Sequence, residues 1–522
     1  MSRWLRLLPI ALVAYVAVVS MACEPRQRRT PDDTLVVLFE SSAKTADPRY
    51  AASSYDAKVS RLVAPGLVTV DSADMAPRPE LAESFEQVDE LTWRVTIRAD
   101  ARFSDGTPVT AEDVAWTFGT VIAKGSDSLW HKGFSERFKA VVAEGTRTVR
   151  FELHQPLATF LTDLDMGIIA RHGADPNGRY PGGRVLGAGP YRVEEISGQR
   201  VVLRANPHWH GGQPGIPTIV IKNVRDAAAR LIMLAGGSAD LSQNAFRYDL
   251  IDDVLARERV REVRHPSNIL TYMMLNNEDA ILKDARVRRA IALALDRETL
   301  IRQKFAGRAV LATSLLPPSH WCYTATPQIP HDLAAAMKLL DEAGYPDPDG
   351  PGGRPRFTLV YKTSADQFRV AIARVIASQL GKVGIAVDVR PFEFATFFAD
   401  IKKGVYQIAT MQTSDITEPD LLYTYFHSSR IPTPADPNAN NRWRYRNALV
   451  DERTEQGRRV SKREERIAIY ADVQRQLAED LPIIPLWHED NVAIVNADVV
   501  DFVVLPNARL SGMARARKLV HE

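Results

Sequence analysis

The chain has 522 residues, of which 45% are hydrophobic and 25% charged, and its formal net charge is +2. This length exceeds one average hydrophobic core, so we expect at least two domains. The composition excludes a disordered chain, a collagen and a bundle of membrane helices, and the near-neutral charge gives no support for nucleic-acid binding.

The amino-terminal region has the pattern of a secretory signal peptide. Two arginines precede an apolar run at residues 7–19, and small residues come just before Cys23. The run is shorter than the roughly 20 apolar residues that a membrane-spanning helix needs. We therefore predict export and cleavage of residues 1–22.

Cys23 lies where such a signal ends, and its setting resembles the lipobox of bacterial lipoproteins, whose cysteine is diacylated. This predicts a lipid anchor at Cys23 and a polar tether over residues 23–33; the alternative is an ordinary cleaved signal with an incidental cysteine. The only other cysteine is Cys322. With Cys23 acylated, no intrachain disulfide is expected.

Three short segments have the patterns of strands. Residues 34–40 form a continuous apolar run, typical of a strand buried in a sheet, which ends at Glu40, Ser41 and Ser42. Apolar and polar residues alternate over residues 84–97 and again over 149–153. This alternation predicts antiparallel strands with one buried face.

Helical spacing follows in the middle of the chain. Apolar residues recur at helical intervals over residues 286–301, which predicts one helix with a basic outer face. A second helix is predicted from about Asp332 to Ala343, ended by Gly344, because glycine adopts the left-handed cap conformation most easily.

Residues 356–415 predict a β-α-β-α-β unit. A strand ending at Lys362 is followed by Ser364 as a helix cap, a helix ending at Gly384, a second strand, a second helix ending at Gly404, and a strand ending at Met411. We therefore expect the three strands of this unit to be parallel and connected by right-handed crossovers.

Ligands of such open sheets bind beyond the carboxyl ends of the strands. In this chain the polar residues at those ends are Gln412, Thr413, Ser414 and Asp415 in the later segment, and Glu40, Ser41 and Ser42 in the first. We expect these two groups to face one another across a cleft between two domains.

The tract LAESFEQVDELTWRVTIRADARFSDGTPVTAEDVAWTF, from Leu81 to Phe118, resembles the signature region of the peptide and nickel class of ABC-transporter solute-binding proteins, family 5. Further matches come in the family's order: GAGPYRV, NPHWHGG, GGSADL, LNNEDA, VRRAIALALDRETL, LLDEAGYP and RIAIYADVQRQLAEDLPIIPLWHED. The resemblance covers about residues 34–495. Each motif alone is weak, but the ordered set is very specific.

The resemblance implies an α/β fold that is periplasmic-binding-protein type II-like, with two α/β lobes, a hinge crossed twice and an inserted third subdomain. We expect domain I to comprise residues 34–60, 185–270 and 490–522, the inserted subdomain residues 61–184, and domain II residues 271–489. Closure of the hinge around a ligand is the expected motion.

Family members that bind peptides hold the peptide ammonium with the aspartate of a Trp-x-x-Asp loop. The segment SDITEPDLL aligns with that loop and puts Asp415 on the aspartate, whereas Gln412 stands where peptide binders usually have Trp. A carboxylate–ammonium contact is charge-assisted and positionally strict. Asp415 fits a cap of the following helix equally well, and Asp420 is the alternative ammonium ligand.

Four further residues are candidates for ligand contact: Asn276 at the first hinge crossing, Arg442 with its planar guanidinium, and Trp487 and His488, which follow the predicted strand IIPL at the second crossing. Trp443 and Tyr445 fit core packing better than a pocket wall. His208 and His210 fit a surface turn better than a metal site, so neither metal nor cofactor is expected.

These patterns predict an extracytoplasmic, lipid-anchored receptor of an ABC importer, which binds a short peptide or similar solute and delivers it to the permease and ATPase subunits. No nucleophile with a nearby base is recognisable, so no enzyme is expected, and we expect a monomer. The alternatives are the same fold binding a nickel chelate, haem, sugar or opine, or a peptide chaperone, sensor or hydrolase independent of transport.

Overall fold

The computed structural model describes residues 30–51, 53–244, 246–350, 353–413 and 416–520. The strands in these ranges are β1 (Thr34–Phe39), β2 (Val68–Thr69), β3 (Arg78–Pro79), β4 (Ala82–Asp89), β5 (Thr92–Ile97), β6 (Phe138–Ala143), β7 (Thr148–Leu153), β8 (Tyr191–Ile196), β9 (Arg200–Ala205), β10 (Thr218–Asn223), β11 (Leu241–Gln243), β12 (Val260–Leu275), β13 (Ala309–Leu311), β14 (Phe357–Ser364), β15 (Ile385–Phe392), β16 (Ile408–Thr413), β17 (Ile483–Asn496), β18 (Val499–Val500) and β19 (Arg517–Lys518).

The α-helices cover Ser54–Val63, Ala111–Ile122, His131–Arg137, Phe160–Asp163, Ala227–Ala235, Ile251–Leu255, Ala285–Ala294, Arg297–Phe305, Leu333–Glu342, Gln367–Gly381, Phe394–Lys403, Leu421–Phe426, Ala448–Arg459 and Arg463–Asp480. Among the described residues, none of these helices is long and apolar enough to cross a membrane.

A mixed sheet of 11 strands organises the molecule and confirms the predicted α/β fold. Its order is β15-β14-β16-β12-β17-β11-β1-β10-β9-β8, with β13 paired to β17. The long strands β12 and β17 pair antiparallel with each other at its centre. We call β1 with β8–β11 the first half of the sheet and β14–β16 the second half.

The predicted first strand is present as β1, and its continuous apolar run has a structural reason. Leu35 and Val37 pack in one hydrophobic cluster, while Val36 and Leu38 pack in another. Because alternate side chains of a strand point to opposite faces, both faces of β1 are buried. Every position therefore has to be apolar.

A separate four-stranded antiparallel sheet has the order β4-β5-β7-β6. Trp93, Val95 and Ile97 point into a hydrophobic cluster whose residues lie between 67 and 188, and the intervening residues are more exposed. The alternation in the sequence thus predicted these half-buried strands. We call residues 67–170, which form this sheet and most of its hydrophobic cluster, the inserted unit.

The β-α-β-α-β prediction is confirmed by β14, β15 and β16, which are parallel and connected by helices Gln367–Gly381 and Phe394–Lys403. Gly404 ends the second helix at φ 74°, where a side chain would add strain. The predicted cap is wrong by two positions, because Ser364 belongs to β14 and the carboxylate of Asp366 accepts from the backbone N–H of Arg369 at 2.9 Å.

The single helix predicted over residues 286–301 is two helices, Ala285–Ala294 and Arg297–Phe305. Asp296 lies between them, and its carboxylate accepts from the backbone N–H of Thr299 at 2.9 Å. The helical spacing of apolar residues continues across this break, but Asp296 is a strong N-cap that starts a new helix.

Thr30, the first described residue, is fastened to the first half of the sheet. Its hydroxyl donates to the Asp240 carboxylate at 2.6 Å, and Lys518 Nζ donates to its backbone carbonyl at 3.3 Å. Lys518 also forms a buried ion pair with Asp240 at 3.2 Å. The two ends of the described chain therefore meet next to β11.

Candidate functional site

The carboxyl ends of the two strand sets point toward each other. Gln243, the last residue of β11, lies opposite Ala493 of β17. Thr413, the last residue of β16, lies opposite Leu270, which in turn lies opposite His488 of β17. Ala493 and His488, which mark the ends of β11 and β16, are five residues apart along β17, or about 17 Å.

In the first half β1 and β10 run parallel to β11, while β9 is antiparallel to β10; in the second half β14 and β15 run parallel to β16. Both halves therefore end at the same central span, residues 488–493 of β17. The pairing of β12 with β17 also changes register there, between Pro266 and Leu270. An interrupted ladder of this kind is a frequent neighbour of functional sites.

Gln412 reaches this span from the second half. Its side-chain Nε2 donates to Glu489 Oε1 at 2.7 Å, and its Oε1 accepts from Arg369 Nη2 at 3.3 Å. Thr413, the next residue, is buried and shares its hydroxyl with Tyr272 at 3.2 Å and Tyr425 at 3.3 Å. The two predicted residues thus point to opposite faces of the sheet.

Glu489 is a member of the site that sequence reasoning missed. Thr271 Oγ1 also donates to its Oε1, at 3.2 Å. Burial is the main cause that raises the pKa of this carboxyl, and Arg369 partly offsets it. The signal in the sequence was an acidic residue two positions after Trp487, and hence on the same face of a strand.

The first half contributes Glu40, Ser41 and Ser42, directly after β1. Glu40 accepts a hydrogen bond from Tyr55 Oη at 2.6 Å and lies 3.9 Å from Arg230. Lys58 is buried nearby, and burial lowers the pKa of its ammonium to about 8, although Glu40 opposes the shift. Glu40 itself keeps 43% of its side-chain area exposed.

Trp487 and His488 lie within β17, which continues well beyond the predicted strand IIPL to Asn496. Both side chains are fully buried. Burial lowers the pKa of His488 to about 4, and its Nδ1 contacts the Ile269 carbonyl at 3.1 Å. Neither ring is open to solvent in this conformation.

Asn276 lies away from the other candidates, just beyond Leu275, which pairs with Ile408 at the start of β16. Its amide donates to the carbonyls of Gly404 and Tyr406 at 3.1 and 3.0 Å. The structure therefore places Asn276 at the opposite end of β16 from Thr413, in a backbone-bracing role.

Arg442 lies over the ring of Phe398, with its guanidinium carbon 4.8 Å from the ring centroid, and donates to Asn440 Oδ1 at 2.5 Å. Trp443 and Tyr445 pack in a hydrophobic cluster of the second half, as predicted. Ser414 and Asp415 lie outside the described residues, as does Cys23.

Asp420, the alternative to Asp415, forms an ion pair with Arg458 at 3.0 Å. Burial raises the pKa of its carboxyl against the attraction of Arg458. Its neighbour Glu418 pairs with Arg466 and accepts a hydrogen bond from Thr162 at 2.8 Å. The segment after Asp415 is thus held against the inserted unit.

More contacts join the inserted unit to segments between β13 and β17 that pack beside the second half of the sheet. The backbone N–H of Trp321 donates to the Asp74 carbonyl at 3.0 Å, and Ser461 donates to Gln87 Oε1 at 2.8 Å. The backbone N–H of Ala158 donates to the Arg458 carbonyl at 3.1 Å. The two parts are therefore in direct contact in this conformation.

A cavity of about 540 Å³ lies elsewhere and is lined only by residues that lie between Arg289 and Glu479 in sequence, including Leu293, Ile329 and Arg475. No residue of the first half borders it. Over the described part of the chain, no three His, Cys, Asp or Glu side chains are grouped as metal ligands. His210 contacts Glu80 at 3.4 Å with its side chain largely buried, so the predicted surface position is wrong for this residue.

Known proteins resemble the chain along most of its length. A probable D,D-dipeptide-binding periplasmic protein, DdpA of Escherichia coli K12, is 27% identical over 91% of this chain and 92% of its own length. Two solved structures share the fold: AppA of Bacillus subtilis with a nonapeptide (24% identity, 93% and 99% of the two chains, TM-score 0.70) and NikZ of Campylobacter jejuni with Ni(L-His) (22%, 94% and 100%, TM-score 0.72).

Residues 76–433 match the model of one family, described as bacterial extracellular solute-binding proteins, family 5 Middle. The match covers more than half of the chain and includes the signature tract and the second half of the sheet. Together with two strand sets whose carboxyl ends face one central span, it shows that this chain belongs to family 5 of the bacterial extracellular solute-binding proteins.

Proposed function

We propose that this protein is the receptor of an ABC importer and binds a short peptide between the two halves of the sheet. The observation that carries the proposal is the opposed direction of β11 and β16, which end about five residues apart along β17. Polar groups at facing strand ends form a site that both halves complete together.

The proposed contacts come from both sides of the gap. Gln412 is the last residue but one of β16, Ser414 and Asp415 follow this strand, and Glu40 with Ser41 follows β1. Asp415 holds the peptide ammonium through a charge-assisted bond, and backbone groups of the same loop extend the peptide. Relatives that carry peptides in their names support this solute class.

Closure would occur about β12 and β17, the only long strands that both halves share among the described residues. We propose three moving parts with the predicted boundaries: residues 34–60, 185–270 and 490–522, residues 61–184, and residues 271–489. The contacts of the inserted unit with Glu418 and Trp321 then belong to the closed form.

We further propose that the receptor is an exported monomer, anchored through a diacylated Cys23, which hands its solute to permease and ATPase subunits and catalyses no reaction. The rival within the same fold is a non-peptide solute such as a nickel chelate. Gln412, in the place of the usual Trp, favours this rival, since it removes one apolar wall.

Native mass spectrometry of the mature protein, followed by titration with di-, tri- and oligopeptides, tests the proposal. We expect a peptide mass to be retained through gentle purification and at least one peptide to bind with a dissociation constant in the micromolar range or below, about −8 kcal/mol. If a metal chelate is retained and no peptide binds, the peptide proposal is wrong and the solute is of the non-peptide class.

A further inference from the structure

Glu489 differs from several buried carboxylates of this protein that have an ion pair. Among the described residues Asp56 and Asp113 are also buried without one, but each caps the start of a helix. The buried side chains of Asp71, Asp240 and Glu418 each have a cation in direct contact: Arg509 at 2.7 Å, Lys518 at 3.2 Å and Arg466, respectively. In the described ranges Glu489 has no such ion pair, and the cation that acts on it is Arg369, from a greater distance. An unpaired carboxylate in a largely buried position is costly.

Its position is also unusual. Glu489 lies in the central span of β17, between the levels at which the two halves of the sheet end. The register shift of β12 leaves residues 267–269 opposite Glu489 alone, so the ladder is interrupted beside it. Glu489 as a whole is half-buried rather than fully buried, so the residue is open to solvent on one side.

Gln412 fixes the orientation of this carboxylate. Its Oε1 faces the donor Arg369 and its Nε2 faces the acceptor Glu489, so both ends of the amide are used. Thr271 supports the same oxygen, Oε1. The residue that departs from the usual Trp is therefore the one that holds Glu489 in place.

Aromatic rings adjoin the carboxylate. Trp487 lies on the same face of β17, and Phe305 packs on Trp487 with centroids 5.3 Å apart. Tyr248, in the turn after β11, packs on Phe305 at 5.7 Å. Trp487 and Phe305 are buried, so their faces are not open to a ligand, and the attraction for an ammonium group comes from the carboxylate.

We propose that Glu489, oriented by Gln412, is the counter-ion for an ammonium group of the bound solute. This inference rests on the proposed function, since it requires a solute in the gap. The ammonium is either the amino terminus of a peptide, which Glu489 would then share with Asp415, or a lysine side chain. It replaces the cation that the carboxylate lacks in the ligand-free protein.

The test measures affinity by calorimetry for two matched pairs of peptides. The first pair is trialanine and its N-acetyl form; the second is Ala-Lys-Ala and the same peptide with the lysine Nε acetylated. Each is titrated into the wild type, Glu489→Gln, and the control Glu452→Gln, which removes the same charge from an exposed helix position. Circular dichroism checks that each variant is folded.

We expect the wild type and Glu452→Gln to prefer the free ammonium by about ten-fold or more in at least one pair, equivalent to about 1.4 kcal/mol. In Glu489→Gln this preference should shrink to about two-fold or less. The pair in which it shrinks identifies the source of the ammonium.

An unchanged preference in Glu489→Gln, or an equal loss of affinity for both members of each pair, would overturn the inference while the peptide-binding function stands. The same holds if the wild type binds these peptides with no preference for a free ammonium. If the wild type binds no peptide at all, the proposed function fails, and the subsite fails with it.

Discussion

Gln412 Nε2 donates to Glu489 Oε1 at 2.7 Å, which joins the last strand of the second half to the central strand β17. This contact connects the strand that precedes the proposed ligand loop with the span about which the protein would close. Its two partners come from segments 77 residues apart in sequence. Their chemistry leads directly to the first prediction.

Glu489→Gln should stabilise the ligand-free protein. Burial raises the pKa of Glu489 above its ordinary 4.5, so the folded protein favours the protonated carboxyl. The contribution of this carboxyl to stability therefore falls as the pH rises from 4.5 to the pKa in the folded protein. We expect the melting temperature to rise by about 1–3 °C at pH 8 and by less at pH 4. A lower melting temperature at pH 8 would show that the charge is needed for folding.

Asp163→Asn should change how stability depends on pH. Burial raises the pKa of Asp163 to about 7, with Glu418 and Asp420 adding to the shift and Arg137 opposing it. The ordinary value is 3.8, so the contribution of this carboxyl falls between about pH 4 and 7 and is constant above. Urea unfolding at pH 5 and 8 should show that the wild type loses stability relative to Asp163→Asn at the higher pH.

Glu136→Gln is the matched control for that experiment, because Glu136 is exposed on the neighbouring helix. Its stability relative to the wild type should be the same at pH 5 and pH 8. An equally flat difference for Asp163→Asn would mean that Asp163 ionises normally in the folded protein.

Thr162→Val should weaken solute binding by favouring the open form. The substitution removes the hydrogen bond to Glu418 and leaves a buried carboxylate oxygen without that donor, at a cost of about 1–3 kcal/mol in the closed form. We expect faster dissociation of the solute in surface plasmon resonance. Thr146→Val, at an exposed turn, should dissociate at the wild-type rate; equal rates for both variants would contradict the assignment of this contact to closure.

Asp415→Ala should weaken the binding of free-amino peptides more than that of N-acetylated peptides. The reason is the loss of a charge-assisted bond, which contributes about 1.5–3 kcal/mol. Calorimetric titration of both peptide forms measures the difference. An equal loss for the two forms would count against an ammonium contact at Asp415.

Cys23→Ser should release the protein from the membrane. The change removes the thiol that is proposed to carry the diacylglycerol, and each buried methylene contributes about 0.8 kcal/mol to anchoring. Phase partitioning in a cloud-point detergent should move the protein from the detergent phase to the aqueous phase. A wild type already found in the aqueous phase would favour the ordinary signal peptide.

The sequence predicted those elements whose pattern is local. The apolar run of β1, the alternation in β5 and the β-α-β-α-β unit each follow from periodicities that one segment carries alone. The break at Asp296 was missed because a cap residue and a continuing apolar spacing gave opposite signals.

The site was less predictable because it depends on register between distant strands. Glu489 becomes a neighbour of Gln412 only through the pairing of both β16 and β17 with β12. The same pairing places Asn276 at the far end of β16. The sequence alone predicts Asn276 at the first hinge crossing, close to the ligand. Neither position can be read from the residues around it.

Under the proposed attachment at Cys23, the fastening of Thr30 to Asp240 and Lys518 determines which part of the receptor stays near the membrane. Six residues lie between Cys23 and Thr30, so a fully extended chain of seven steps reaches at most about 25 Å. With Cys23 as the proposed attachment point, this short connection keeps the first half of the sheet close to the bilayer. The second half is then the part that moves relative to the membrane when the solute binds or dissociates.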